Sequence, residues 1–587
     1  MYTDISRFVA VYCGGVDMDR KPVVNIGEQR FHKLIEENKF YIDKTDFIRE
    51  WWENGSTVTL ITRPRRFGKT LNMSMLECFF SKKYEGRADL FEGLSIFGND
   101  SDKEKYRKLQ GKFPVIFLTF ANIKAVKYSD MENKITEVIA SLYNENDYLL
   151  DGDCLNANEK EYYKSIKIGM PGEMAVNAVH QMACFIQRYY QENVIIILDE
   201  YDTPMQEAWL SGYWNKAVSF FGSFFNATFK TNPYLERGMI TGITRIAKES
   251  IFTGMNNLKV VTTTSDRYAT AFGFTEQEVF DALDNMGFGS EKTEVKKWYD
   301  GFTFGSYTDI YNPWSIASFI ENNGKYENYW ADTSSNGLVN SLVQTGVPGI
   351  KQTMETLLQG KSFDVELDEK IVFDQLDGSV SAVWSLLLAT GYLKVLDLKY
   401  VGERKKKVYT LALTNMETES IFENMVKGWF GGNTEVYYNE FVNALLNDNI
   451  RRMNTFMNKV ALNTFSSFDG GNKPSEQTEP ERFYHGFVLG LVVNMADTYI
   501  VRSNRESGYV RYDVMLEPFD KDGKAFIFEF KVLDPDEDEV TLEDTLAAAH
   551  RQIAEKKYET ELVSRGFAWE KIRKYGFAFR GKECLIG

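Results

Sequence analysis

The stretch Ser56–Lys82, STVTLITRPRRFGKTLNMSMLECFFSK, decides the fold of the first half of this chain. Val58–Thr62 reads as a buried strand, the residues from Lys69 read as an amphipathic helix, and Gly68, Lys69 and Thr70 stand at the junction. A helix N-terminus there presents unpaired backbone N–H groups and a partial positive charge. Lys69 can reach the β/γ-phosphates of a nucleotide, and the Thr70 hydroxyl can hold Mg²⁺. Arg63 occupies the position where a GxxxxGK[ST] loop has its first glycine. Pro64 biases Arg63 towards extended geometry, so the strand can enter the loop without a glycine-only conformation. The plainer reading is a basic loop capping a core helix.

The second half of such a site lies in Asn193–Asp202, NVIIILDEYD. Five apolar residues, Val194 to Leu198, make a strand buried on both faces that ends in two adjacent carboxylates. Asp199 would hold Mg²⁺ through water, and Glu200 would polarise the attacking water. The pairing is far more specific than either piece, the alternative being a core strand that emerges into a solvated acidic loop.

The 587 residues suffice for three or four domains, and 43% hydrophobic with 26% charged content is that of a soluble globular protein. A net charge of −16 argues against a general nucleic-acid coat protein and leaves locally basic grooves as the binding surfaces to consider. Five cysteines lack CxxC spacing, so neither a zinc site nor a disulfide framework is indicated. No secretory pattern or membrane-length apolar run stands out, which makes the expected location cytoplasmic. Four histidines make chemistry built on a histidine pair or triad improbable.

Strands alternate with helices from Val23 to Ser265 (Val58–Thr62, Pro114–Phe120, Val194–Leu198, Gly238–Gly242, Lys259–Thr264), which implies a parallel sheet covered on both faces. The expected layout is an N-terminal segment (1–22), a P-loop domain (23–272), a helical lid (273–345), a winged-helix-like and helical connector (346–465) and a C-terminal domain (466–587). In the lid, FTEQEVFDALDNMG, VKKWYDGFTFG and IYNPWSIASFIENNG all read as helices. In the connector, GYLKVLDLKYVGERKKKVYTLAL reads as a hairpin whose basic tip, Arg404–Lys407, either touches phosphate or is simply solvated. The best linker is SSFDGGNKPSEQTEP, Ser466–Pro480.

The phrases FYIDKTDFI, RPRRFGKT, ILDEYDTP and MITGITRIAKESIF together resemble the AAA-ATPase-like family of bacterial proteins, relatives of signal-transducing P-loop ATPases. In that family a PD-(D/E)XK nuclease-like domain often follows. The resemblance spans about residues 20–265 and 480–587. It implies a nucleotide-binding set of Arg65, Arg66, Phe67, Gly68, Lys69, Thr70 and Asp199, with Glu200 completing the hydrolytic site. Arg245 would stabilise transition-state charge, in cis or across a subunit interface, and Thr241 and Thr244 would sense the γ-phosphate; all three are equally read as ordinary loop or cap residues. Asp43 and Lys44 fall near an adenine edge, without a fixed role.

In RYDVMLEPFDKDGKAFIFEFKV, Arg511–Val532, Asp513 lies on one strand and Glu529 and Lys531 share one face of the next. Two carboxylates would hold Mg²⁺ and the lysine would orient water. This looks like the D…ExK core of the PD-(D/E)XK fold, with Glu481 a further metal ligand and Gln552 an accessory residue. A surface Glu-x-Lys pattern is the plain alternative. Residues 471–587 carry 17 Lys+Arg against 22 Asp+Glu, so a nucleic acid would need a local basic groove or another domain.

The expected fold is therefore multidomain α/β: a P-loop parallel sheet with helices on both faces, a helical lid, a winged-helix-like middle and a C-terminal α/β restriction-endonuclease-like domain. The expected function is an ATP-binding and hydrolysing switch coupled to a Mg²⁺-dependent nuclease. Its expected partners are ATP, DNA or RNA met through the C-terminal domain and wing, and further copies in a homo-oligomer; no membrane is expected. The competing readings are a nucleotide-gated scaffold whose nuclease-like domain cuts nothing, and, more remotely, a small-molecule kinase.

Overall fold

A computed structural model describes residues 22–98, 102–246, 251–252, 254–330, 350–358, 360–367, 379–428, 434–464, 488, 495, 498–503, 514–537, 539–580 and 583–587. The chain forms two compact units, residues 1–347 with 362–419 and residues 348–361 with 420–587.

The first unit is built on five parallel strands, β1 (Val58–Thr62), β2 (Val115–Thr119), β3 (Val194–Asp199), β4 (Leu235–Gly242) and β5 (Leu258–Val261), in the order β2-β3-β4-β1-β5. Every residue of β1 and β3 is buried, as in strands covered on both faces; in β3 the continuous apolar run Val194–Leu198 dictates it, and in β1 Thr59 and Thr62 are buried among Val58, Leu60 and Ile61. Helix α1 (Lys69–Phe80) packs Met73, Leu76 and Phe79 with Ile61, Ile195, Ile197 and Met239, while α2 (Tyr128–Glu145) lies on β2 and α3 (Gly172–Tyr190) on β3. Parallel strands end on one edge of the sheet. With β4 between them, β1 and β3 deliver the P-loop and the two carboxylates to that edge one strand apart.

The lid departs from the helical expectation. Beside α4 (Glu276–Met286), α5 (Lys292–Tyr299) and α6 (Pro313–Glu321) it contains a three-stranded antiparallel sheet of β6 (Phe274–Thr275), β7 (Phe302–Phe304) and β8 (Tyr307–Tyr311), in the order β6-β8-β7. The segment DGFTFG is therefore the start of a hairpin. Gly301 and Gly305 take φ of 113° and 60°, which end the helix and form the turn. Between them Phe302 and Phe304 are both buried and point to Phe67 of the P-loop, at ring-centroid distances of 4.7 and 5.4 Å. A capping box opens α4, with Glu278 accepting from the Thr275 N–H at 2.7 Å.

The hairpin beyond the lid forms as read, from β10 (Leu393–Val401) and β11 (Lys406–Leu413), and gains an unanticipated third strand, β9 (Phe363–Val365), paired to β11. At its base Gly391, with φ 91°, approaches the P-loop so closely that a Cβ there would lie 3.0 Å from Pro64.

The second unit carries a mixed five-stranded sheet, β12 (Tyr499–Ser503), β13 (Val514–Pro518), β14 (Ala525–Val532), β15 (Ile572–Arg580) and β16 (Glu583–Ile586), in chain order, with only β14 and β15 parallel. Helices α7 (Thr434–Leu446) and α8 (Ile450–Thr464) share its core, where Phe441, Leu445, Met453 and Phe456 join Phe526, Phe528 and Phe577. Asn454 and Asn458 on α8 bond the backbone of Ile586 and Cys584, covering the edge of β16. Helices α7 and α8, expected as a connector, pack within the second compact unit, which takes in residues 420–587. The linker 466–480 lies outside the described residues.

Candidate functional site

Where β1 passes into α1, Gly68 takes the left-handed conformation (φ 76°) and the helix begins at Lys69. The Lys69 ammonium is buried and donates to the carbonyls of Arg63 (3.0 Å) and Pro64 (2.7 Å); burial lowers its pKa, against the attraction of Glu200 and Asp199. Thr70 Oγ1 donates to Asp199 Oδ2 at 2.6 Å, and Thr241 Oγ1, from β4 between the two motif strands, bonds the other Asp199 oxygen. Burial raises the Asp199 pKa, opposed by these two hydroxyls. Glu200, the next residue, has φ 53°, a strained conformation for a side-chain-bearing residue, and receives the Thr203 hydroxyl at 3.2 Å.

A cavity of about 370 Å³ opens over this junction. Arg65, Arg66, Phe67, Gly68, Lys69, Thr70 and Glu200 all line it. Its other flank is largely apolar, with Ile26, Phe40, Ile42, Phe274 and Trp314, a surface suited to a planar base. A helix N-terminus, a buried ammonium and a hydroxyl–carboxylate pair on one side of a half-apolar cavity fit a nucleoside triphosphate with a divalent cation.

Arg245, by contrast, follows β4 in a half-buried position outside the cavity lining, and Thr244 is held by Asp202, which accepts its N–H (2.8 Å) and hydroxyl (2.7 Å). Asp43 accepts from the N–H groups of Thr45 and Ser95, and Lys44, although it touches the cavity, forms a buried ion pair with Glu278 of α4 at 2.6 Å.

Several contributors carry no sequence signal of their own. Arg63, standing where a glycine was expected, is fully buried beneath the loop and donates to the carbonyls of Thr62, Thr262, Arg267 and Tyr268, with its guanidinium 4.4 Å from the Phe304 ring. Arg65's carbonyl accepts from Asn312 (3.4 Å) and from the Trp330 indole (3.2 Å). Buried Glu417 in turn accepts the Trp330 N–H and the Ser315 hydroxyl. Asp202 could have been suspected from its place two residues after Glu200; the others could not.

In the second unit Glu529 is buried on β14 and accepts a hydrogen bond from Gln552 of α9 (Leu542–Lys556), the residue expected to assist it. Gln552 also reaches the Tyr558 hydroxyl at 3.4 Å. Lys531, two residues on, is half-buried. Asp513 and Glu481 lie outside the described residues. Next to Asp513 in the chain, Val514 pairs with Phe528, the neighbour of Glu529.

Residues 25–252 match the AAA-ATPase-like family model, a predicted AAA-ATPase, and residues 479–587 match a PD-(D/E)XK nuclease superfamily model. Across 97% of the chain and 99% of the relative, an uncharacterized protein in the vnfD 5′ region of Azotobacter chroococcum mcd 1 is 24% identical. Among solved structures, the Walker-type ATPase PABY2304 of Pyrococcus abyssi is similar over 69% of this chain and 99% of its own, at 12% identity and a TM-score of 0.33. The Aeropyrum pernix ORC2 protein is similar over 70% and 97%, at 10% identity and a TM-score of 0.23. No helix among the described residues is long and apolar enough to cross a membrane.

Proposed function

We propose that this chain, in which a predicted AAA-ATPase domain precedes a PD-(D/E)XK nuclease superfamily domain, is an ATP-hydrolysing switch that controls a metal-dependent nuclease. The observation that carries the first half is the convergence of Lys69, Thr70, Asp199 and Glu200 on one edge of the sheet, three of them lining a single cavity. The backbone N–H groups from Arg65 to Thr70 cradle the phosphates, Lys69 neutralises their charge, and the apolar flank takes the base. A divalent cation, Mg²⁺ in our reading, held by Thr70 and Asp199 would supply further neutralisation of the phosphates. Glu200 orients the water that attacks the terminal phosphorus, which leaves ADP and inorganic phosphate.

For the C-terminal domain, Asp513 and Glu529, with Glu481, form the metal-binding carboxylates, and Lys531 steadies the attacked phosphodiester. Gln552 fixes the Glu529 carboxylate in place. Nucleic acid is the substrate of this site, the basic hairpin tip, Arg404–Lys407, offers a phosphate contact of its own, and copies of the chain assemble as an oligomer in the cytoplasm. One feature favours a non-cutting, nucleotide-gated scaffold instead: the run Asp534 to Glu539, DPDEDE, stands just beyond Lys531 and would repel a polyanion.

Plasmid cleavage with Mg²⁺ or Mn²⁺, with and without ATP, tests the reading. The parent should cut, and Asp513→Ala and Lys531→Ala should each abolish cutting while ATP hydrolysis continues. No cutting by the parent in any nucleotide state would promote the scaffold; cutting that persists in both variants would refute the site.

A further inference from the structure

The P-loop of this chain carries an arginine in a conformation that arginine disfavours. Arg66 has φ 65°, in the left-handed region where glycine is the ordinary occupant and a side-chain-bearing residue is strained. Its guanidinium lies 4.0 Å from the centre of the ring of Trp314, at the start of α6 in the lid, and is near enough to be attracted by the charge of Glu200. Arg66, Trp314, Lys69, Thr70 and Glu200 all line the same cavity. The turn that carries Trp314 is anchored: the Trp314 backbone N–H donates to the Asn312 side chain, the helix N-cap, at 2.8 Å, and the Asn312 amide donates to the Arg65 carbonyl.

We propose that Arg66 is the arginine that stabilises charge on the terminal phosphate during hydrolysis, supplied by the P-loop itself, and that Trp314 holds it in place so that turnover depends on the lid. This rests on the ATPase reading above and reassigns the role first considered for Arg245. A planar, permanently charged group stacked on an aromatic face keeps its donors aimed in one direction while remaining beside the cavity. The strained backbone does not assign the role by itself, since helix ends such as Gln191 and Lys557 share it; the stack on Trp314 beside the cavity does. Because the lid supplies the ring, a lid displaced from the P-loop leaves the arginine unheld. Trp314 is a positioning residue, since the group that meets phosphate is Arg66.

Steady-state ATP hydrolysis by the full-length protein tests this. Arg66→Ala should lower kcat by about 100-fold or more with KM changed less than about fivefold, a loss confined to the transition state. Arg66→Lys should recover only part of it, since a lysine keeps the charge without the planar stack. Trp314→Ala should lower kcat in the same direction and Trp314→Phe should restore most of it. Nucleotide should change the tryptophan fluorescence of the parent, and that change should shrink in Trp314→Phe. An Arg66→Ala protein that turns over like the parent, while Glu200→Gln does not, overturns the proposal and leaves the ATPase reading standing. Parent-like turnover by Glu200→Gln, or none by the parent, overturns both.

Discussion

The Thr70 hydroxyl donates to Asp199 across 2.6 Å, although 129 positions separate the two residues in the chain. This bond joins the first turn of α1 to the end of β3 and brings together the two oxygens a phosphate-bound cation would need. Asp199→Asn should therefore keep the fold, since the amide oxygen can accept from one of Thr70 and Thr241 while the amide NH2 donates to the hydroxyl oxygen of the other. Its loss should appear as nucleotide affinity that no longer rises on adding divalent cation, measured by titration with and without chelator. An unchanged cation effect would remove Asp199 from the site.

Arg63→Gly would restore the glycine of the common loop pattern, yet it should harm the protein. Removing the buried guanidinium takes a donor from four backbone carbonyls, of which those of Thr262 and Tyr268 still accept the N–H groups of Ser265 and Ala271, and empties the space it filled; the loss should be about 3 kcal/mol. Chemical denaturation should show the midpoint falling accordingly. A variant as stable as the parent would mean that the loop can close over the gap.

Lys44 and Glu278 form an ion pair with both side chains more than nine-tenths buried, tying the segment before the P-loop to the first helix of the lid. Lys44→Met alone should destabilise by about 3–5 kcal/mol, because it strands a buried carboxylate. The double variant Lys44→Met, Glu278→Leu should lose clearly less than the sum of the two single losses. Additive losses would show that the two charges are not coupled.

Asp300, at the end of α5, has its carboxyl pushed up to about 7, first by burial and further by Asp309, against the Gly301 N–H and Lys296. An unfolded aspartate titrates near 4. Between those values the folded chain binds more protons than the unfolded one, so this group makes stability fall as pH rises through that window. Asp300→Asn should flatten the decline, and the melting temperature should drop less between pH 5 and 8 than in the parent. An identical slope would exclude Asp300 as its source.

The sequence revealed what is local and left hidden what depends on long-range contact. Gly68, Lys69 and Thr70 at a strand-to-helix junction, and Asp199 and Glu200 at the end of an apolar strand, are contiguous patterns whose chemistry follows from the backbone that carries them. The β7–β8 hairpin escaped because two phenylalanines between glycines offer too short an alternation to separate from a helix end. Arg63 looked like a missing glycine because nothing nearby reveals the carbonyls of Thr262, Arg267 and Tyr268 that receive it. The stack of Arg66 on Trp314 joins residues 248 positions apart and was equally invisible. Helices α7 and α8 passed for a connector because their apolar faces do not say which sheet they cover.

The central claim is that Lys69 and Glu200 serve one ATP-hydrolysing site in different roles, and paired measurement of ATP binding and single turnover in their variants tests it most directly. Lys69→Ala should bind ATP at least about 10-fold more weakly and turn over little. Glu200→Gln should bind like the parent and retain the nucleotide uncleaved. Parent-like hydrolysis by both variants would contradict the account.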